Sequence, residues 1–262
     1  MSTDRALPAL LRYWRSQRGL SQLDLSLNAG VSTRHLSFLE TGRSRPSVEM
    51  VMLLLETLDV PLRSRNEVLR AAGFDAHYPD PGVEAMLNGP LQLTLELMLR
   101  HHEPFPMLVV DRWYELAATN QAAARFMSLA GLDLHRNVAR LLFDPAARPL
   151  IDDWPRTASE ILRRIQREVL HRPNDEAMAD LLADLLDAPD VPDDWRQPDL
   201  AAGAEPAIPL RFRVGDAVLS FMTTITAFNA PSNITLDELR LESFFPLDAE
   251  TEAFCRSVLG AP

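Results

Sequence analysis

Over the first 74 residues, apolar positions recur at helical spacing between sharp breaks. Leu7, Leu10, Leu11 and Trp14 share one helical face, and Gly19 follows Arg18 where a left-handed glycine ends a helix. Ser21, with Asp24 three residues on, has the form of a capping box for a second helix. Ala29-Gly30-Val31 interrupts that helix, and Ser32 caps a third that runs through Glu40 to Thr41-Gly42. Pro46-Ser47 opens a fourth, with Val48, Val51, Leu54, Leu55 and Leu58 on its apolar side. Pro61 stops it, and a fifth covers Leu62 to Ala72, closed by Gly73.

Residues 75–90 (DAHYPDPGVEAMLNGP) read as a linker, rich in Pro, Gly and acids. Beyond it the pattern is mixed. Leu91 to His101 is an apolar-periodic helix, then Met107–Val110 and Trp113–Ala118 read as strands paired around Asp111-Arg112. Asn120 begins a helix to about Leu129, and residues 136–188 are mostly helical, including Asp152–His171 and Asn174–Asp187. After a Pro- and Asp-rich stretch from Pro189 to Pro209, strands are predicted over Leu210–Val214, Ala217–Phe228 and Leu239–Phe245, with Gly215-Asp216 as a hairpin turn. The expected fold is therefore multidomain: an all-α five-helix domain over 1–74, a linker over 75–90, and an α+β domain with an antiparallel sheet from residue 91.

Charge sharpens the division. The formal net charge of −11 divides into +3 for residues 1–74 and −14 for the remainder. A basic first segment suits phosphates, whereas the acidic remainder suits a partner that is not a polyanion. The absence of Lys among the 26 basic residues implies no mechanism. No apolar run approaches the ~18 residues of a membrane span. MSTDRALPALLRYWRSQRG lacks the apolar core and small-residue site of a signal peptide, and a lone Cys255 forms no internal disulfide. A reduced, cytoplasmic protein is expected.

Two short helices joined by a tight glycine turn can present the second in a major groove. Ser26 supplies the small side chain where the helices cross, Gly30 allows the turn, Val31 and Leu36 pack it, and Leu25 and Leu39 complete the core. Gln22 opens the supporting helix, where it can bond a phosphate. Thr33, Arg34, Ser37 and Phe38 are left on the outer face of the helix that begins at Ser32. Arg pairs bidentately with guanine, and Thr or Phe contacts a thymine methyl. With Thr41, Arg43 and Arg45 beyond the helix, these residues are the candidate DNA contacts.

The run SQLDLSLNAGVSTRHLSFLETGRSRPSVEMVMLLLETLDV resembles the Xre/Cro phage-repressor type of helix-turn-helix, a lambda-repressor-like fold, over residues 5–74. The resemblance implies that Gln22 contacts a phosphate and that Thr33 and Arg34 hold the first two base-reading positions. Phe38 replaces a smaller residue found in some repressors. From Leu91 onward, PFPMLVVDRWYELAATNQAAARF, NVARLLFDPAARPLIDDW, DEAMADLLADLL and the spaced Trp195 resemble the PAS-like ligand-binding domain of MmyB-like regulators, over about 91–258. Thr119 departs from that pattern, standing where such proteins often carry an aromatic residue. This second resemblance implies a five-stranded antiparallel sheet, flanking helices, and an apolar cavity for fatty-acid-like or other lipophilic molecules. Candidate cavity walls are Leu95, Met98, Leu99, Phe126, Leu142, Trp154, Ile161, Phe221 and Phe244.

Catalytic and metal chemistry find little support. His101-His102-Glu103 are adjacent on a helix, point in different directions, and lack a Cys/His cluster at ligand spacing. Asp152-Asp153 and Asp193-Asp194 read as solvated caps, and Cys255 lies in no flavin-adduct motif. No nucleophile elbow or phosphate-binding glycine loop is present. The reading is a non-enzymatic, cofactor-free regulator that binds double-stranded DNA as a homodimer and senses a lipophilic effector. The alternative is a DNA-anchored protein–protein interaction module with no small-molecule ligand.

Overall fold

The computed structural model describes residues 6–89, 91–132, 137–172, 175–198, 209–215 and 217–260. Five helices open the chain: α1 (Ala6–Gln17), α2 (Gln22–Ala29), α3 (Thr33–Glu40), α4 (Val48–Thr57) and α5 (Leu62–Ala71). Their starts follow the expected punctuation. The Ser21 hydroxyl accepts the Asp24 amide while the Asp24 carboxylate accepts the Ser21 amide, and Ser32 and Ser47 cap α3 and α4. Gly30 takes φ 65° at the end of α2, a left-handed conformation that costs glycine little, and so lets the chain turn into α3. The inward faces meet in a core of Leu11, Leu25, Leu36, Leu39, Val51, Leu54, Leu55 and Leu69. Burial of each leucine contributes on the order of 1.5–3 kcal/mol, so this core holds the short helices together.

The chain divides into two compact units, one comprising Met1–Pro81 with Ala230–Asp237, the other Gly82–Asn229 with Glu238–Pro262. The stretch 75–89 is structured. Asn66 accepts the His77 and Tyr78 amides through Oδ1 at 2.9 and 3.0 Å, and Val83–Leu87 forms α6 with Met86 buried.

The second unit continues with α7 (Gln92–His101), β1 (Met107–Val110), β2 (Leu116–Thr119), α8 (Gln121–Leu129), α9 (Val138–Phe143), α10 (Trp154–His171) and α11 (Glu176–Leu186). Then come β3 (Leu210–Val214), β4 (Ala217–Thr226), α12 (Ile234–Glu238), β5 (Arg240–Pro246) and α13 (Ala249–Phe254). The strands form one antiparallel sheet in the order β2-β1-β5-β4-β3, with the helical segment α8–α11 inserted between β2 and β3 in the chain. This is the α+β, PAS-like architecture.

Several boundaries differ from the sequence reading for local reasons. The second strand begins at Leu116, not Trp113, because Asp111 folds the chain back. Its carboxylate accepts the Trp113 and Glu115 amides at 2.8 and 2.9 Å, and Tyr114 takes φ 66°. The long helix starts at Trp154, capped by Asp153, and the next is capped by Asp175. The fourth strand stops at Thr226, so α12 occupies residues for which alternation offered no element. Asn174 and Asp216 lie outside the described residues.

Side chains alternate across a strand. Leu108, Val110, Phe212, Leu219, Phe221 and Phe244 enter one core with α8–α11, while Met107, Val109, Leu239 and Leu241 enter another with α7.

Candidate DNA interface and ligand cavity

The outward surface of α3 is built on a buried ionic scaffold. Glu40, only 1% exposed, accepts two hydrogen bonds from Arg15, from Nε at 2.6 Å and Nη2 at 2.9 Å. Its Oε2 also accepts the Gln22 side-chain amide at 2.7 Å. One carboxylate thus ties α1 to the end of α3 and orients Gln22 at the start of α2. Gln22 keeps a second amide hydrogen and stands at the first residue of α2, where helix N–H groups point outward, a suitable arrangement for a phosphate.

The supporting and presented helices also meet through hydroxyls. Buried Ser26 places its Oγ 2.8 Å from the Thr33 Oγ1, so Thr33 is anchored at the first turn of α3. Ser32 spends its hydroxyl on the His35 amide, and Thr41 donates its own to the Ser37 carbonyl at 2.7 Å. Arg34 is exposed and stacks its guanidinium 5.4 Å from the centre of the half-buried Phe38 ring. Such an i,i+4 stack orients the planar donor fork. Arg43 and Arg45 are exposed beyond the helix, where the Arg43 amide bonds the Phe38 carbonyl at 2.8 Å. The sequence reading missed Arg15 and Glu40; a glutamate continuing the apolar period of Leu36 and Leu39 was the available signal.

In the second unit a cavity of about 420 Å³ lies between the sheet and α8–α10. Ligand cavities span roughly 300–1,000 Å³. Phe126, Phe212, Phe221 and Phe244 form an aromatic wall, with Phe126 edge-on to Phe212 at 5.0 Å and Phe221 edge-on to Phe244 at 5.9 Å. Leu108, Leu116, Leu142 and Ile161 continue the apolar lining.

The polar lining comes from α10 and two strands: Thr157, Glu160, Arg164, Arg167, Thr223 and Glu242. Arg164 is committed, donating to the Tyr114 hydroxyl at 3.0 Å and to Glu242 at 3.3 Å. Burial works against its charge, but Tyr114 and Glu242 outweigh this and hold its pKa above the usual range. Burial raises the Tyr114 phenol, so it stays neutral. Glu160 pairs with Arg163 one turn along. Arg167, one turn beyond Arg164, is exposed and forms no ion pair with any described residue.

Of the expected wall residues, Phe126, Leu142, Ile161, Phe221 and Phe244 meet around this cavity. Trp154 stands behind the wall, with its indole N–H on the Leu142 carbonyl at 3.1 Å and its ring edge-on to Phe143 at 5.7 Å. Leu95, Met98 and Leu99 pack on the opposite sheet face and do not line the cavity. Helical periodicity shows that α7 buries a stripe, but not which face of the sheet receives it. Thr119 pairs with the lining residue Leu108 on the edge strand but does not itself line the cavity.

Among the described residues, no group of three or more His, Cys, Asp or Glu could hold a metal ion, and no helix is long and apolar enough to cross a membrane. Cys255 is buried, which pushes its thiol pKa up to about 11 and disfavours the reactive thiolate.

The family model described as "MmyB-like transcription regulator ligand binding domain" matches residues 91–258, and that described as "Helix-turn-helix" matches residues 11–64. No curated protein matches the chain. A helix-turn-helix followed by this α+β domain makes the chain a member of the MmyB-like transcription regulators, DNA-binding proteins with a ligand-binding domain.

Proposed function

We propose that the protein binds a two-fold-symmetric operator as a cytoplasmic homodimer and is switched by a lipophilic, fatty-acid-like molecule, without catalysing a reaction. Residues 1–74 carry the DNA-binding domain, 75–90 the connection and 91–258 the effector domain. The observation that carries the effector reading is the aromatic cavity whose lining includes Arg167, an exposed arginine with no ion-pair partner among the described residues. The tail of an amphiphile removes apolar wall from water, and a carboxylate head meets Arg167 near solvent.

On the DNA side, Thr33 and Arg34 read base edges, with Ser37 and Phe38 beside them. Gln22, Ser32, Thr41, Arg43 and Arg45 hold the backbone. One such helix reads only a few base pairs, so two copies address half-sites roughly 34 Å apart. The effector acts by favouring one arrangement of the dimer over another, and shifts operator affinity by no more than its differential affinity for the two.

Native mass spectrometry followed by denaturing extraction tests the effector reading, with a co-purified lipophilic molecule expected. Selection of DNA from a random pool tests the operator, with a two-fold-symmetric site expected. An enriched site whose affinity no fatty acid alters would favour a DNA-anchored interaction module instead.

A further inference from the structure

Helix α5 begins after Pro61, a residue with no side chain able to cap it. Its first amide, Leu62 N–H, is instead taken by the Asp237 carboxylate at 3.3 Å, from a residue 175 positions away. A carboxylate there satisfies an orphan donor and faces the positive end of the helix dipole. Asp237 is not alone. The Ile234 amide donates to the Pro79 carbonyl at 2.9 Å, and the Thr235 hydroxyl donates to Asp80, which also pairs with Arg63 on α5 at 2.9 Å. Ile234 and Thr235 are both buried. The connection between β4 and β5 is thereby an integral part of the unit that carries the helix-turn-helix.

The next residue is held elsewhere. Glu238 is 4% exposed and accepts Arg112 Nη1 at 2.9 Å. Arg112, equally buried, also pairs with Asp175, the cap of α11, which accepts the Trp113 indole N–H at 3.1 Å. Glu238 leads directly into β5, whose Glu242 and Phe244 line the cavity. Displacing one partner of this buried cluster would leave an uncompensated charge, so the anchor resists sliding.

The geometry points to Asp237 as a positioning residue for the DNA-binding unit, through which displacement of the Glu238 anchor reaches the first turn of α5. Consecutive residues are committed to different units, so a shift of β5 or Arg112 pulls on the cap through one peptide link. Helix α5 packs on α1 and α4, and α4 packs on α2, so the cap bears on the helices that support α3. The inference rests on the ligand-responsive reading above for its biological use but not for its test.

The test is residue-resolved amide hydrogen exchange over Leu62–Arg65 in the full chain, with neither DNA nor effector. Asp237→Ala is expected to accelerate exchange there about fivefold, the worth of a typical cap, whereas Asp237→Asn, which keeps an acceptor but not the charge, restores part of the protection. Glu238→Gln leaves the cap intact yet is expected to accelerate the same amides at least twofold. If that variant does not fold, Glu238→Asp keeps the charge and withdraws the anchor by one methylene. Unchanged α5 exchange in Asp237→Ala would overturn the cap. Unchanged α5 exchange in a folded Glu238 variant would overturn the linkage. Failure of the effector reading shows separately, as dodecanoate leaving DNA affinity unaltered while these exchange results stand.

Discussion

The two-pronged bond from Arg15 to the buried Glu40 carboxylate, at 2.6 and 2.9 Å, is the joint that ties α3 to α1. Glu40 is buried and Arg15 partly so, and removing the carboxylate strands the guanidinium at a cost near the lower end of the ~3–5 kcal/mol of a fully buried pair. Glu40→Ala is therefore expected to destabilise the helix-turn-helix unit by roughly 3 kcal/mol in urea unfolding. It also frees Gln22, so DNA affinity falls even where the unit remains folded.

On the proposed reading, base contacts and phosphate contacts are expected to separate by mutation. Arg34→Ala is expected to cost about 1–3 kcal/mol at one base pair and to relax preference there. Phe38→Leu removes the stack that orients Arg34, with a milder loss of ~0.5–1 kcal/mol at the same position. Arg43→Ala instead weakens binding to all sequences and lowers the salt slope by about one. Fluorescence anisotropy at several salt concentrations, on selected and scrambled sites, distinguishes these patterns.

The cavity can be filled from within. Ile161→Trp places a larger ring into the lining and is expected to weaken dodecanoate binding at least tenfold while the far-UV spectrum is kept. Arg167→Glu is expected to weaken dodecanoate but leave dodecanol unaffected, because only the acid presents an anion. Thermal shift at saturating ligand is the readout, since a ligand at a hundredfold its Kd stabilises by about 2.7 kcal/mol. Equal losses for acid and alcohol would remove Arg167 from the head-group role.

His102 sets an acid limit on the second unit. Burial holds its pKa below the usual value of 6.5, opposed by its bond to the Phe244 carbonyl and by nearby Glu103. Its Nε2 lies 3.2 Å from that carbonyl, and its ring is edge-on to Phe245 at 5.0 Å. With a folded pKa below the unfolded one, the unfolded chain binds the proton more readily. Stability is therefore full above pH 6.5 and declines as pH falls through that value toward the folded pKa. Urea unfolding at pH 7.5 and 5.5 is expected to show this loss in the wild type and a smaller one in His102→Gln.

The first domain was legible in the sequence because its signals are local. Ser21, Ser32 and Ser47 cap helices within three residues of themselves, Gly30 turns within one, and the apolar positions at helical spacing on α1 and α4, such as Leu7 and Leu11 or Val51 and Leu55, mark the faces that are buried. The second domain was legible as strands and helices, and five of its cavity residues came from aromatic and aliphatic positions on elements that face one another.

Three things needed the folded chain. Which sheet face receives α7 is a choice between two equivalent burials, and it sent Leu95, Met98 and Leu99 away from the cavity. The polar lining, Arg164 with Glu242 and Tyr114, pairs residues 50 to 78 positions apart, beyond any periodicity. The cap of α5 comes from Asp237, because Pro61 offers none and the vacancy is filled through space. Local hydrogen bonds and periodic burial are written along the chain; buried charges find partners only where folding has brought distant segments together.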